Sequence, residues 1–477
     1  MSVPNKEFSV AIVGGGLVGA LNAVYFAARG WNVTVFELRE DIRTLKQAGG
    51  RSINLALSKR GISALEGADA GAGLFETLIP MTGRMIHIGE KQSSQNYGYF
   101  GEHDLKAINS VDRKLVNEHL LNKLQKMPNV TIKFLHELVS IDYEKTVLNF
   151  KMSDGTECKF QADLIIGADG SYSRVRRELM RVTRMNFSQE YIEHGYVELN
   201  MPPNEKGEYQ MDPGHLHIWP RQTFMMIGLP NTDKSFTMTL FMPWKNFEAI
   251  KTPQDLLAFF EDQFADSLPL IGRELLVKDY FKNPKGSLVS IKCKPYHYKS
   301  SCLIIGDAAH AMVPFYGQGM NCGFEDCLVL DEILTKHIGK PGTASSTKPS
   351  AEAMGKALEE YSATRNADAE AMSDLAMYNY VEMRSSVTKL SYKLKKSFEG
   401  LLHRVFPKSV IPLYTMVSFS RIPYSKALSI SKKRGLWYDF FGRVAMYGTV
   451  ATALGVGAVI GLRNGGLKYV HGFMCRK

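Results

Sequence analysis

The chain has 477 residues, more than the roughly 250–300 at which one hydrophobic core stops growing, so two or more packed regions are expected. Its composition, 45% apolar and 22% charged, is that of a globular protein, and its six cysteines (Cys158, Cys293, Cys302, Cys322, Cys327, Cys475) show neither a CxxC pair nor metal-ligand spacing, which argues against a disulfide framework or zinc site and for a reducing compartment. The net charge of +10 is uneven: residues 384–477 carry 17 Lys/Arg against Glu399 and Asp439, leaving −5 before them, which excludes a basic nucleic-acid-binding body and points the tail at an anionic membrane surface.

Residues 8–13 are a short apolar run, read as a strand, followed by Gly14-Gly15-Gly16-Leu17-Val18-Gly19. Leu17, Ala20, Leu21, Val24 and Ala27 then recur at helical spacing up to a capping Gly30. Residues 31–37 are β-branched in character and end in Glu37, which closes a βαβ unit of about 30 residues. The first run lacks a charged leader and a full apolar core, so no signal peptide is expected. Two later apolar runs ending in glycine, 162–166 and 302–305, are assigned to the same parallel sheet. Between them, residues 191–285 read differently: 235–240 alternate with period two, and 215–219 and 223–229 are strand-like, which predicts an antiparallel sheet with one buried face. Residues 340–350 read as a polar linker and 351–431 as helical. The uncharged stretch 444–462, between Arg443 and Arg463, would span ~28 Å as a helix, and a transmembrane segment is expected there, with a buried core helix as the alternative.

The Gly14, Gly16, Gly19 spacing is weak as a bare string, but it follows a strand, opens a helix and precedes Glu37. In that setting the glycines admit a pyrophosphate to a helix N-terminus, and Glu37 can accept from a ribose diol. Asp163-Leu-Ile-Ile-Gly-Ala-Asp169-Gly170 with Arg174-Val-Arg176 resembles the DG motif of flavoprotein hydroxylases. Gly306-Asp307-Ala-Ala-His310, followed by Pro314 and Gly317-Gln-Gly-Met320-Asn321, resembles their GD motif. Asp307 can hold ribityl hydroxyls, while the turn before Met320 aims backbone N–H groups at a flavin pyrimidine ring. His310 is read as a structural hydrogen-bonding residue, not a general base.

With these three motifs in order, the chain resembles the FAD-dependent aromatic hydroxylases. Within them, Arg51–Ser58, Arg84-Met-Ile-His87, His217-Ile-Trp-Pro-Arg221, Phe224-Met-Met-Ile227, Thr239-Leu-Phe-Met-Pro243, Met377–Arg384 and Pro412-Leu-Tyr-Thr-Met416 are similar to the kynurenine-hydroxylating branch, over about residues 10–421. The resemblance implies an α/β fold: a Rossmann-type FAD-binding domain (1–190 and 286–338), an antiparallel-sheet substrate domain (191–285), a linker (339–350), a C-terminal helical region capping the substrate (351–431) and a membrane anchor (432–477) with its transmembrane helix. It implies an FAD site of Gly14, Gly16, Val18, Gly19, Glu37, Arg39, Ala56, Arg113, Leu138, Asp307, Met320 and Asn321. It also implies a substrate site of Arg84, Tyr97, Asn379 and Tyr414. A guanidinium fork and a phenol suit an amino-acid carboxylate; the bland alternatives are a surface ion pair for Arg84 alone and buried core positions for Tyr97 and Tyr414. Phe241, Phe315, Leu216 and Ile227 are candidates for an apolar wall, and Glu382 for ordering the pocket or for a salt bridge. The implied reaction is NADPH- and O2-dependent hydroxylation of L-kynurenine to 3-hydroxykynurenine through a flavin C4a-hydroperoxide, in tryptophan catabolism and pyridine nucleotide biosynthesis. The flavin carries the chemistry, with no catalytic side chain and no metal. The implied location is the mitochondrial outer membrane, with the body facing the cytosol and no nucleic-acid partner.

Overall fold

Val10, Ala11 and Ile12 are fully buried because their strand, Ser9–Val13, runs through the middle of a sheet covered on both faces. In the computed structural model, which describes residues 8–45, 54–89, 91–100, 104–341, 348–385 and 410–437, that sheet has six strands. Their order is Val130–Lys133, Asn32–Phe36, Ser9–Val13, Leu164–Gly167, Cys302–Ile304 and His297–Tyr298, parallel except for the last pair. The runs at 162–166 and 302–305 thus join the fingerprint strand, as their apolar composition and terminal glycines indicate. Strand ends and helix starts consequently meet along one edge, where a dinucleotide binds in this topology. Helix Leu17–Ala28 buries ten of its twelve residues against the sheet.

The second sheet has seven strands, in the order Gly286–Lys294, Asn186–Met201, Phe236–Pro243, Phe224–Pro230, His215–Arg221, Gly83–Ile88 and Lys91–Asn96. It is antiparallel except where His215–Arg221 runs parallel to Gly83–Ile88. Two differences from the sequence reading follow. The hairpin 83–96, placed by sequence in the first domain, completes this sheet and carries Arg84 into it; Gly286–Lys294 does the same at the other edge. Phe236–Pro243 is buried at all eight positions, not on one face only. One face packs Val197, Leu199, Met238, Leu240 and Met242 with Phe247, Phe260 and Leu276 of the short helices beyond it, while the other looks inward to the candidate site.

The helices Gly319–Ile338 and Ala351–Ser385 close the unit formed by residues 1–425, and residues 426–477 form a second unit. The expected transmembrane helix is corrected here. No helix among the described residues is long and apolar enough to cross a membrane; the longest, Ala351–Ser385, has Glu352, Lys356, Glu360, Arg365, Asp368 and Asp374 spread along it. The stretch 444–462 lies outside the described residues.

Candidate functional site

The three glycine-bearing motifs converge on the start of the first helix. A Cβ on Gly14, whose φ is +106°, would lie 2.4 Å from the Ala168 carbonyl oxygen, and one on Gly19 would lie 1.9 Å from the oxygen of Gly14. The fingerprint and the DG segment are therefore in backbone contact that no side chain would permit. Val18 fills the third side: a Cβ on Gly306 would lie 3.1 Å from it, and one on Gly323 2.6 Å.

Gly16, by contrast, faces open space with nothing within 4 Å of its would-be Cβ. The helix it opens has no acidic residue in its first turn and no side-chain cap, so its unpaired N–H groups and positive end are left for an anion. Glu37 takes the Gly15 and Arg39 amides at 2.8 and 3.0 Å, and a carboxylate has acceptor capacity beyond those two bonds for a ribose diol. Backbone bonds from Leu135 to Arg39 and from His136 to Glu37 bring Leu138 to this end. Asp307 is exposed and makes no bond among the described residues, which leaves it for hydroxyl groups. Arg113 is exposed at the start of its helix. These groups fit FAD.

Three motif residues do something else. Asp169 spends its carboxylate on Ser173 Oγ and the amides of Arg174 and Val175, which caps the following helix. Asn321 donates to the carbonyls of Ala56 and Gly317 and accepts from the Ser58 amide, so its side chain ties two cradle segments together and only its backbone is left to face a cofactor. His310 places Nε2 2.6 Å from Asp326. Burial opposes the Asp326 charge, but His310 and Arg365 outweigh it and hold that carboxyl below its usual range. His310, Cys322 and Asp326 also lie close enough to hold a metal, yet Asp326 and Cys322 already accept from Arg365.

The substrate candidates come together on the inner face of the second sheet. Arg84 stands opposite Leu216, with its guanidinium 4.4 Å from the centre of the Tyr414 ring and 5.9 Å from that of Tyr97. Tyr97 and Tyr414 stack at 5.3 Å, Tyr316 and Tyr414 at 5.6 Å. Met81, Ile108, Leu216, Ile227, Leu229, Phe419 and Ala56 pack with the two tyrosines, so Ala56 joins the pocket to the cofactor cradle. Within this apolar shell the Arg84 Nε and the Tyr97 hydroxyl are fully buried and meet no hydrogen-bond partner among the described residues. Burial opposes the Arg84 charge while Tyr414, Tyr97 and Glu382 favour it, and it stays cationic. Burial holds the Tyr97 phenol well above its ordinary range, so it is a neutral donor.

Asn379 is placed differently. Its amide donates to the Phe315 carbonyl at 2.7 Å, bracing the turn that leads into the Gly317–Asn321 segment. Phe315 stacks on Tyr380 at 3.8 Å and meets Phe241 at 5.2 Å, so Phe241 and Phe315 form one wall, and Leu216 and Ile227 lie in the Arg84 cluster. Sequence reasoning missed Tyr316, Tyr380 and Phe419 in these walls. It also missed a buried charge cluster of Arg60, Glu325, Arg365 and Asp368 beside them. The available signal was the occurrence of charged residues at otherwise apolar positions of the helix at 319–338.

Residues 7–376 match the family of the FAD binding domain. The chain is 44% identical to kynurenine 3-monooxygenase of Caenorhabditis briggsae, over 95% of this chain and 98% of that one. It is 46% identical to kynurenine 3-monooxygenase of Sus scrofa, over 89% and 86%. Among solved structures, 2-methyl-3-hydroxypyridine-5-carboxylic acid oxygenase superposes with a TM-score of 0.63 at 20% identity, over 80% of this chain and 94% of that one, which attests the fold alone.

Proposed function

The chain belongs to the kynurenine 3-monooxygenases of the FAD-binding-domain family, and from that premise we propose that Arg84 and Tyr97 receive the carboxylate of L-kynurenine, with Tyr414 backing both. The protein is an FAD-dependent oxidoreductase that hydroxylates kynurenine with NADPH and O2. When bound, FAD supplies the hydride acceptance and O2 activation that ring hydroxylation needs. The residues that would hold it are Gly14, Gly16, Val18, Gly19, Glu37, Arg39, Ala56, Arg113, Leu138, Asp307, Met320 and Asn321.

One observation supports the carboxylate reading above the others: the buried Nε of cationic Arg84 and the buried hydroxyl of neutral Tyr97 meet no hydrogen-bond partner among the described residues, in a cluster otherwise lined by apolar and aromatic side chains. Leaving such donors unmatched costs about 1–3 kcal/mol each, and a carboxylate meets both. The pocket's aromatic walls then hold the aniline ring and keep water away, which is the protein's own share of the reaction. Asn379 acts here by fixing the Phe315 turn between pocket and cradle.

The test is Arg84→Ala in the FAD-loaded protein. Loss of one charge-assisted contact of roughly 1.5–3 kcal/mol should lower kcat/KM for kynurenine by about one to two decades, with flavin retention unchanged. An unchanged kcat/KM, or loss of flavin in parallel, would withdraw the assignment. The location is also a proposal: the cytosolic side of the mitochondrial outer membrane, supported by the excess of 17 basic over two acidic residues in 384–477. Fractionation with the protein recovered away from mitochondria would refute it.

A further inference from the structure

Arg60, on the helix Lys59–Gly67, lies outside both sites and is completely buried. Its NH1 reaches both oxygens of Glu325, at 2.7 and 2.8 Å. The rest of the guanidinium is turned onto backbone. Nε donates to the Val417 carbonyl at 3.0 Å, and NH2 donates to those of Ile422 and, at 3.5 Å, Met416. The cation also lies 3.8 Å from the centre of the Tyr424 ring. All three carbonyls belong to the segment 410–425, which carries Tyr414 at the start of the turn Leu413–Ser418. A second grip comes from Asp368, which accepts from the Ser425 amide and hydroxyl and is itself bonded to Arg365; Arg365 shares Glu325 with Arg60.

Stability alone is a poor reason for this arrangement, because a buried ion pair is commonly matched or bettered by apolar side chains of the same volume. What an apolar side chain cannot do is hold three carbonyls of one chain segment in a fixed relation. We propose that Arg60 is a positioning residue for substrate recognition: by gripping the carbonyls of Met416, Val417 and Ile422 it sets Tyr414 over Arg84 and so shapes the carboxylate subsite. This rests on the reading of Arg84, Tyr97 and Tyr414 as that subsite. Lysine in its place would keep a charge for Glu325 but has no fork to span the carbonyls.

The experiment is a double-mutant cycle in the full chain with FAD bound, comparing Arg60→Lys, Tyr414→Ala and the double variant by kcat and KM for kynurenine. Arg60→Lys should raise KM about tenfold with kcat within about twofold and flavin retention unchanged, and in the Tyr414→Ala background it should change KM less than about twofold. An equal KM factor in both backgrounds, or an effect on kcat alone, would show general structural support and overturn the proposal. Should Arg60→Lys fail to accumulate, Glu325→Gln, which leaves Arg60 its backbone partners but loosens its anchor, should raise KM in the same Tyr414-dependent way; an unchanged KM there is equally fatal. A separate arm with Arg84→Ala distinguishes the two readings: if its KM is that of the wild type, the subsite assignment fails, whatever the cycle says about Arg60 and Tyr414.

Discussion

At the start of the first helix the polar work is done by backbone amides and a few carboxylates, and side chains are mostly kept out: Gly14, Gly16 and Gly19 matter for what they lack. In the proposed substrate pocket the reverse holds. Arg84, Tyr97 and Tyr414 come from three segments more than 300 residues apart in sequence at the extremes, and the donors are side chains set in aromatic walls. The first kind of site tolerates almost no added atom but depends little on any one functional group. The second depends on single groups and on whatever holds their segments in place.

The largest effect should follow from adding one carbon to the cradle. In Gly19→Ala the new Cβ would sit 1.9 Å from the Gly14 carbonyl oxygen, an overlap only backbone movement can relieve, at a cost of about 3 kcal/mol or more. Bound flavin, read from absorbance of the purified protein, should fall at least about tenfold; full retention would mean that the turn is not the pyrophosphate site. The pocket should behave oppositely, and an analogue of kynurenine without its carboxylate sharpens the contrast. Arg84→Ala should lose much less activity toward it than toward kynurenine, since the removed contact is already missing. Equal fractional losses on both substrates would erase the distinction between the two regions.

The same difference explains what could be read from the chain beforehand. A glycine spacing, a strand before it and an acid after it are local, so the first βαβ unit and its Glu37 are legible within about thirty residues, and Asp307 within its own short glycine-bearing motif. Arg84 and Tyr97 were named only through resemblance, because nothing local says that the hairpin 83–96 would pair with His215–Arg221 or that 410–425 would fold over it. Asn321 and Asp169 carry motif positions whose side chains prove to bond the protein to itself. Nothing local marks Arg60, since its partners lie 265 and 357 positions away. The expected spanning helix came from the length, composition and basic flanks of 444–462 and from the resemblance, and no described helix has that character.

The smallest expected effect lies between the two regions. Glu198, on Asn186–Met201, stands opposite Thr239 on the inward face of the second sheet, and its Oε1 meets no hydrogen-bond partner among the described residues. Burial pushes its carboxyl up from 4.5 to about 7, against a downward pull from Arg113, one of the residues proposed to hold FAD. The folded protein therefore holds this proton more tightly than the unfolded chain does. The stability it contributes is complete below about pH 4.5 and is lost as pH rises through 7. Glu198→Gln keeps the volume and removes the titration. Wild type and variant should melt alike near pH 4, while at pH 8 the variant should be the more stable, by on the order of 1–3 kcal/mol. The measurement is the pair of unfolding curves at the two pH values. A gain of equal size at both would place the effect in packing or hydrogen bonding, and no gain at pH 8 would show that Arg113 pairs with Glu198 well enough to bind cradle and sheet together through charge.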